Sequence, residues 1–222
     1  MRIEIWSDIV CPWCYIGKRR FERALGTIDR PGEIEVVYRA YQLNPAMPRG
    51  EVRNHHEVLM VKYGLSDGQA TSMQRQMERT AAGEGLEFHL AGGVTGNTFD
   101  AHRLVHFGRT RGAQETVLER LFRAHFTEQR SIFDQTSLVA LGSETGLDAE
   151  EVRAMLAGDA YADAVNAELR DARALAISGV PYFLLDRRYA ISGAQPAELF
   201  AQAIGQLRTE ALVAGQRANM RD

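Results

Sequence analysis

Only two cysteines occur in the 222 residues of this chain, and they stand three apart, at Cys11 and Cys14, where a strand-like segment passes into a helix-like one. Two cysteines are too few for a disulfide framework, and without a second pair a four-ligand structural zinc site cannot be completed. The chemistry left to consider is that of the pair itself. Residues three apart share a helix face, so Cys14 can reach the sulfur of Cys11. A cysteine opening a helix faces unpaired backbone N–H groups and the positive end of the helix dipole, which favour a thiolate. Thiol–disulfide exchange needs such a thiolate to attack and a second thiol to resolve the mixed disulfide. Cys11 is therefore the expected nucleophile, and Cys14, one turn in, the expected resolving thiol. The competing reading is an inert buried pair or half of a metal site.

The flanking pattern is strand, helix, strand. Residues 2–10 alternate polar and apolar (Ile3, Ile5, Ile9). From Trp13 to Leu25 the apolar residues Trp13, Ile16, Phe21, Ala24 and Leu25 recur at helical spacing, and Pro12 suits the first helical position. Pro31-Gly32 marks a turn, and residues 33–41 read as a second strand. A linker rich in breakers spans 43–50, after which only helical periodicity is seen, over 52–63, 67–83, 99–111, 115–126, 135–145, 149–157 and 161–177. Strand character returns at 180–185 and 189–191, and Pro196 opens a last helix ending near 214. This order fits an α/β domain formed by residues 1–46 and 160–222, interrupted by an all-helical insertion over 47–159.

Composition excludes some classes. A formal net charge of −3 gives no polycationic surface, so nucleic acid is not an expected partner. No apolar run reaches membrane-spanning length, and no membrane association is expected. The N-terminus has no apolar signal region, which points to the cytoplasm, although a chain already trimmed of a signal peptide would read the same. Oligomeric state is left open.

A second motif is Ser178-Gly179-Val180-Pro181-Tyr182-Phe183. A proline at the start of a strand is tolerated as an edge feature. The sharper reading is a cis Val180–Pro181 bond that exposes the backbone groups beside it.

Taken together, Cys11-Pro12-Trp13-Cys14-Tyr15-Ile16-Gly17-Lys18, Asn97-Thr98 with Ala101-His102-Arg103-Leu104, Gly179-Val180-Pro181 and Ser192-Gly193-Ala194-Gln195-Pro196 resemble the DsbA-like thioredoxin family, in its FrnE-like branch. The resemblance covers nearly the whole chain in order. It implies an α/β thioredoxin-like fold with a helical insertion, Cys11 as nucleophile, and a cis-Pro181 loop packed against the cysteine pair. By the same resemblance, Val180 would offer its backbone to an incoming substrate strand. Pro12, Trp13, Val180, Tyr182, Asn97 and His102 are the implied substrate contacts, and cysteine-containing proteins or peptides the implied partners. No cofactor is implied, with glutathione open as a redox partner.

The same superfamily holds kappa-type glutathione transferases and 2-hydroxychromene-2-carboxylate isomerases, which carry serine where Cys11 stands. Here both cysteines are present, and Gly193-Ala194-Gln195 replaces the Asp-containing stretch those proteins use to hold glutathione. A non-catalytic protein-binding module is the third reading. Unlike DsbA itself, the chain has Pro12-Trp13 between its cysteines and no histidine, so the direction of electron flow stays open.

Other residues carry weaker signals. His102 and His106 stand four apart on a helix but lack a third ligand, so no metal site is expected, and His55-His56 point to different helix faces. All four are expected to be hydrogen-bonded or solvated. Asn97 stands at or just before a helix N-cap. Lys18-Arg19-Arg20 reads as a solvated face. Met73 and Met77 read as core, or as the lining of an adaptable peptide groove.

Overall fold

Alternation in the first strand, Arg2–Ser7 (β1), does not separate a wet face from a dry one. Ile3 and Ile5 enter the main core, while Glu4 and Trp6 on the other face are buried as well. The cause is position: β1 is a central strand, covered on both faces. Glu4 tolerates this because Arg39 Nε donates to its carboxylate at 3.0 Å and Arg187 Nε at 2.8 Å.

The computed structural model describes residues 1–219; residues 220–222 of the expected α/β portion lie outside them. After β1 come α1 (Pro12–Leu25), β2 (Glu35–Ala40), β3 (Val52–Asn54), α2 (His55–Tyr63), α3 (Asp67–Ala82) and β4 (Val94–Gly96). Then follow α4 (Phe99–Arg109), α5 (Gln114–Phe126), α6 (Gln135–Ser143), α7 (Ala149–Ala157), α8 (Ala162–Ala174), β5 (Tyr182–Leu185), β6 (Tyr189–Ser192) and α9 (Ala197–Asn219). The main sheet has the order β2-β1-β5-β6, with β2 parallel to β1 and the other two pairings antiparallel. The parallel step needs a crossover, and α1 supplies it.

One face of this sheet is closed by α1 and α9 through a cluster of Phe21, Phe183 and Phe200, whose ring centroids lie 4.5–5.6 Å apart. On the other face, Trp6 and Leu184 pack with Ala172 and Ile177, at and just beyond the end of α8. The main core runs on without a break into α4–α7, taking in Leu104, Leu121, Phe122 and Leu138.

Two differences from the sequence reading affect the site. The helical block also carries a small sheet, β3 antiparallel to β4. Residues 52–54, expected in a helix, are strand, and α2 starts only after Asn54, whose Oδ1 accepts from the N–H groups of His56 (2.9 Å) and Glu57 (3.3 Å). The segment expected as a free linker is tied down: Leu43 N–H donates to Asp8 Oδ2 at 2.7 Å, and Asn97 Nδ2 to the Met47 carbonyl at 2.7 Å. Among the described residues no helix is long and apolar enough to cross a membrane.

Candidate active site

Cys11 is the N-cap of α1, with extended backbone (φ −92°, ψ 111°) and no side-chain capping bond, and Pro12 follows in the first turn. Its sulfur is therefore left to face outward from the helix end instead of satisfying the helix's own N–H groups. The turn is held by Cys11 N–H donating to the Asp8 carbonyl and Cys14 N–H to the Cys11 carbonyl, each at 3.0 Å. Both cysteines are free thiols.

The two sulfurs differ in surroundings. Both are buried, but Cys11 lines an open groove and Cys14 does not. Burial pushes the Cys14 thiol well up, as does the neighbouring Cys11, while the Ser7 hydroxyl and the Asp8 N–H beside it pull the other way without cancelling the effect.

The Val180–Pro181 peptide is cis. Cys11 Sγ donates to the Val180 carbonyl at 3.5 Å, so the loop before β5 lies directly against the Cys11 sulfur. Pro181 is held from behind: its carbonyl accepts from Gly193 N–H at 2.8 Å, and its ring sits where a Cβ on Gly17 would come within 2.9 Å of Cγ. Pro12, Trp13 and Val180 join Cys11 in lining the groove, and Trp13 is 41% exposed.

Three of the expected substrate contacts are elsewhere. Tyr182 turns to the other face of β5 and packs edge-on to Trp6, centroids 6.3 Å apart. Strand alternation dictates this, since Phe183 and Leu185 take the main-core side. His102 is buried and its Nε2 lies 2.9 Å from the Tyr41 carbonyl, with Asp8 Oδ1 at 3.5 Å. Asn97 is the residue before the Thr98 N-cap of α4; it bonds Gln42, Met47 and the Phe99 N–H. Both are structural ties behind the groove. His106 pairs with Glu168 at 2.9 Å, and His56 with Gln74 and Asp67. Lys18, expected on a solvated face, is buried among Glu22, Glu115 and Glu119.

The groove's far wall is made by α2 and α3, a part that sequence reasoning missed except in the alternative reading of Met73 and Met77, both of which line it. The signal was present in α2, where His55, Val58, Leu59, Lys62 and Tyr63 fall on one helical stripe and all face the groove.

Residues 2–205 match the DSBA-like thioredoxin domain. The chain belongs to that family. Among solved structures, this DsbA-like chain is similar to a probable DsbA oxidoreductase from Streptomyces coelicolor, with 47% identity and a TM-score of 0.91 over 95% of this chain and 91% of that one. At the level of the fold it also resembles a 2-hydroxychromene-2-carboxylate isomerase (18% identity, TM-score 0.72, 96% and 99% covered). A third likeness is the cytosolic disulfide reductase DsbM from Pseudomonas aeruginosa with GSH (20% identity, TM-score 0.64, 94% and 100% covered).

Proposed function

We propose that this DsbA-like chain is a thiol–disulfide oxidoreductase acting on cysteines of proteins or peptides. The observation that carries the reading is the asymmetry of the pair: Cys11 opens on the groove at the helix N-terminus, 3.5 Å from the Val180 carbonyl, and Cys14 waits behind it, buried and held protonated. In the reducing direction, Cys11 Sγ as thiolate attacks one sulfur of a substrate disulfide. A Cys11–substrate disulfide forms, the substrate S–S bond breaks, and its electron pair leaves with the other substrate sulfur as thiolate. Cys14 then loses its proton and attacks Cys11 Sγ. The Cys11–Cys14 disulfide closes, and the substrate departs as a dithiol once its two thiolates take up protons. The oxidising direction is the reverse of these steps. Pro181 shapes the loop that holds the substrate, and Val180 supplies backbone groups for an extended segment.

Glutathione is the natural candidate for a small-thiol partner, since the DsbM likeness was solved with GSH. The test is a trap. Cys14→Ala should accumulate mixed disulfides with partner proteins on non-reducing gels, and Cys11→Ala should not. Absence of adducts in both variants, with glutathione conjugation to small electrophiles by the unaltered protein, would overturn the reading in favour of a transferase.

A further inference from the structure

Apolar residues hold the core-facing side of β1 until its last position. Ile3, Ile5 and Ser7 share that face, and the first two enter the main core, so the place nearest the cysteine pair is taken by a hydroxyl. Ser7 is buried, 3% exposed, and its Oγ has no hydrogen-bond partner among the described residues. A buried hydroxyl left unpaired destabilises the fold, and alanine would fill the same place in the strand without that cost. A polar group kept under these conditions calls for a role.

Its surroundings supply one. The Ser7 hydroxyl and the Asp8 N–H stand beside Cys14 Sγ, where both favour a thiolate. Cys11 lines the open groove and caps α1, so solvent and the helix N-terminus can carry its charge. Cys14 is 2% exposed, and a charge on its sulfur depends on the donors that the protein places around it.

We propose that the Ser7 hydroxyl and the Asp8 N–H form a two-donor cradle for the negative charge that develops on Cys14 Sγ whenever Cys14 attacks Cys11 or leaves it. This rests on the oxidoreductase reading above and adds a residue, Ser7, to its second step. In that step Cys14 gives up its proton and forms the bond to Cys11 Sγ. The bond from Cys11 to the substrate sulfur breaks, its electron pair goes to that sulfur, and a proton from solvent replaces the one released. In reverse, a substrate thiolate attacks Cys11 Sγ and Cys14 leaves as the thiolate. The Ser7 hydroxyl is unpaired while Cys14 is a thiol and gains its partner as charge builds on the sulfur. A donor already in place at that moment needs no reorganisation.

The experiment is a stopped-flow reaction of the reduced protein with dithiobis-nitrobenzoate, which reports the two steps separately. In the first phase Cys11 Sγ attacks, a Cys11–thionitrobenzoate disulfide forms, and one coloured thionitrobenzoate leaves with the electron pair. In the second phase Cys14 loses its proton to buffer, attacks Cys11 Sγ and expels the second thionitrobenzoate, at a rate independent of reagent concentration. Ser7→Ala should slow the second phase by at least about tenfold, the scale of one hydrogen bond to a charged group, and leave the first phase unchanged. Its urea midpoint should hold or rise, because the change removes a buried group that has no partner. A purely structural role cannot give a slower step in a fold that is no less stable. Ser7→Thr keeps the hydroxyl and should restore most of the second-phase rate. An unchanged second phase in Ser7→Ala would overturn the inference. So would both phases slowing alike with a lower midpoint, which would make Ser7 a structural tie in the small cleft it borders with His102 and His106. Two-phase release by the unaltered protein upholds the oxidoreductase reading in either case; no release at all would overturn both.

Discussion

Gly17 shows how a single missing side chain sets the site. It lies in the second turn of α1, three residues on from Cys14 and on the same helix face, and a Cβ there would approach Pro181 Cγ to 2.9 Å and Ala194 Cβ to 3.4 Å. The cis-proline loop reaches the cysteine pair only because that space is empty. Alanine would gain about 0.5–1 kcal/mol in helix propensity, against roughly 1–3 kcal/mol for overpacking a rigid ring. The clash should win. Gly17→Ala is expected to lower the urea midpoint and to slow exchange of Cys11 with a small disulfide, as the loop backs away from the sulfur; a more stable variant with unchanged rate would show that the contact is not a constraint. The same residue-level logic explains what could be read from sequence. Cys11, Cys14 and Pro181 were legible because their spacing and chemistry are local. The resemblance implies Tyr182, His102 and Asn97 as groove contacts, and they lie outside the groove, because the face a side chain takes depends on tertiary pairing that no short motif encodes.

At the scale of elements, helices were legible and the small strands were not. Ala149–Ala157 begins after Asp148, whose side chain accepts from Glu151 N–H at 2.9 Å, a signal visible in sequence. β3 and β4 pair three residues across a gap of about 40, and the fit depends on Gly96, where a Cβ would meet Phe133 at 2.7 Å. Nothing within either segment announces that partnership. The junction of α8 with the sheet is similarly non-local. Glu168, buried on α8, accepts from Ala40 N–H at 2.7 Å and Arg39 Nη1 at 2.9 Å, and stands 2.9 Å from His106. Burial opposes its charge, but these partners, His106 foremost, hold its carboxyl below the usual range. Deleting one member of such a buried set leaves the others uncompensated, so Glu168→Ala should cost about 3 kcal/mol in a urea melt. A loss under about 1 kcal/mol, the scale of an exposed pair, would mean that water replaces the carboxylate freely.

For the whole molecule, the balance of buried histidines and carboxylates sets how folding stability changes with pH. His125 on α5 packs edge-on to Phe126 (4.6 Å) and Phe133 (5.8 Å), and burial brings its pKa down from 6.5 to about 4, with His55 adding to the shift and Asp8 opposing it. His55 is lowered too, by burial first. Over the window from 6.5 down to about 4, the unfolded chain binds a proton at His125 that the folded one refuses. Stability present above pH 6.5 is therefore lost progressively as the pH falls through that window. Glu4, Glu119 and Glu168 are lowered by their cationic and hydrogen-bonding partners against the pull of burial, and their contribution is lost only below the ordinary value of 4.5. His56 is raised by Gln74 and Asp67, so it works in the opposite sense, but it is only half-buried and its partner Asp67 is exposed, so the effect is screened. The two regimes can be separated. Between pH 7 and pH 5 the lowered histidines, His125 foremost, respond before Glu4, Glu119 and Glu168 do, and because the His125 ring keeps some contact with water its share should be about 1 kcal/mol, less than the full shift would give. His125→Gln should flatten the fall in urea midpoint over that interval and leave the loss well below pH 4, which belongs to the carboxylates, unchanged. Parallel curves for the two proteins would place the acid response elsewhere than at His125.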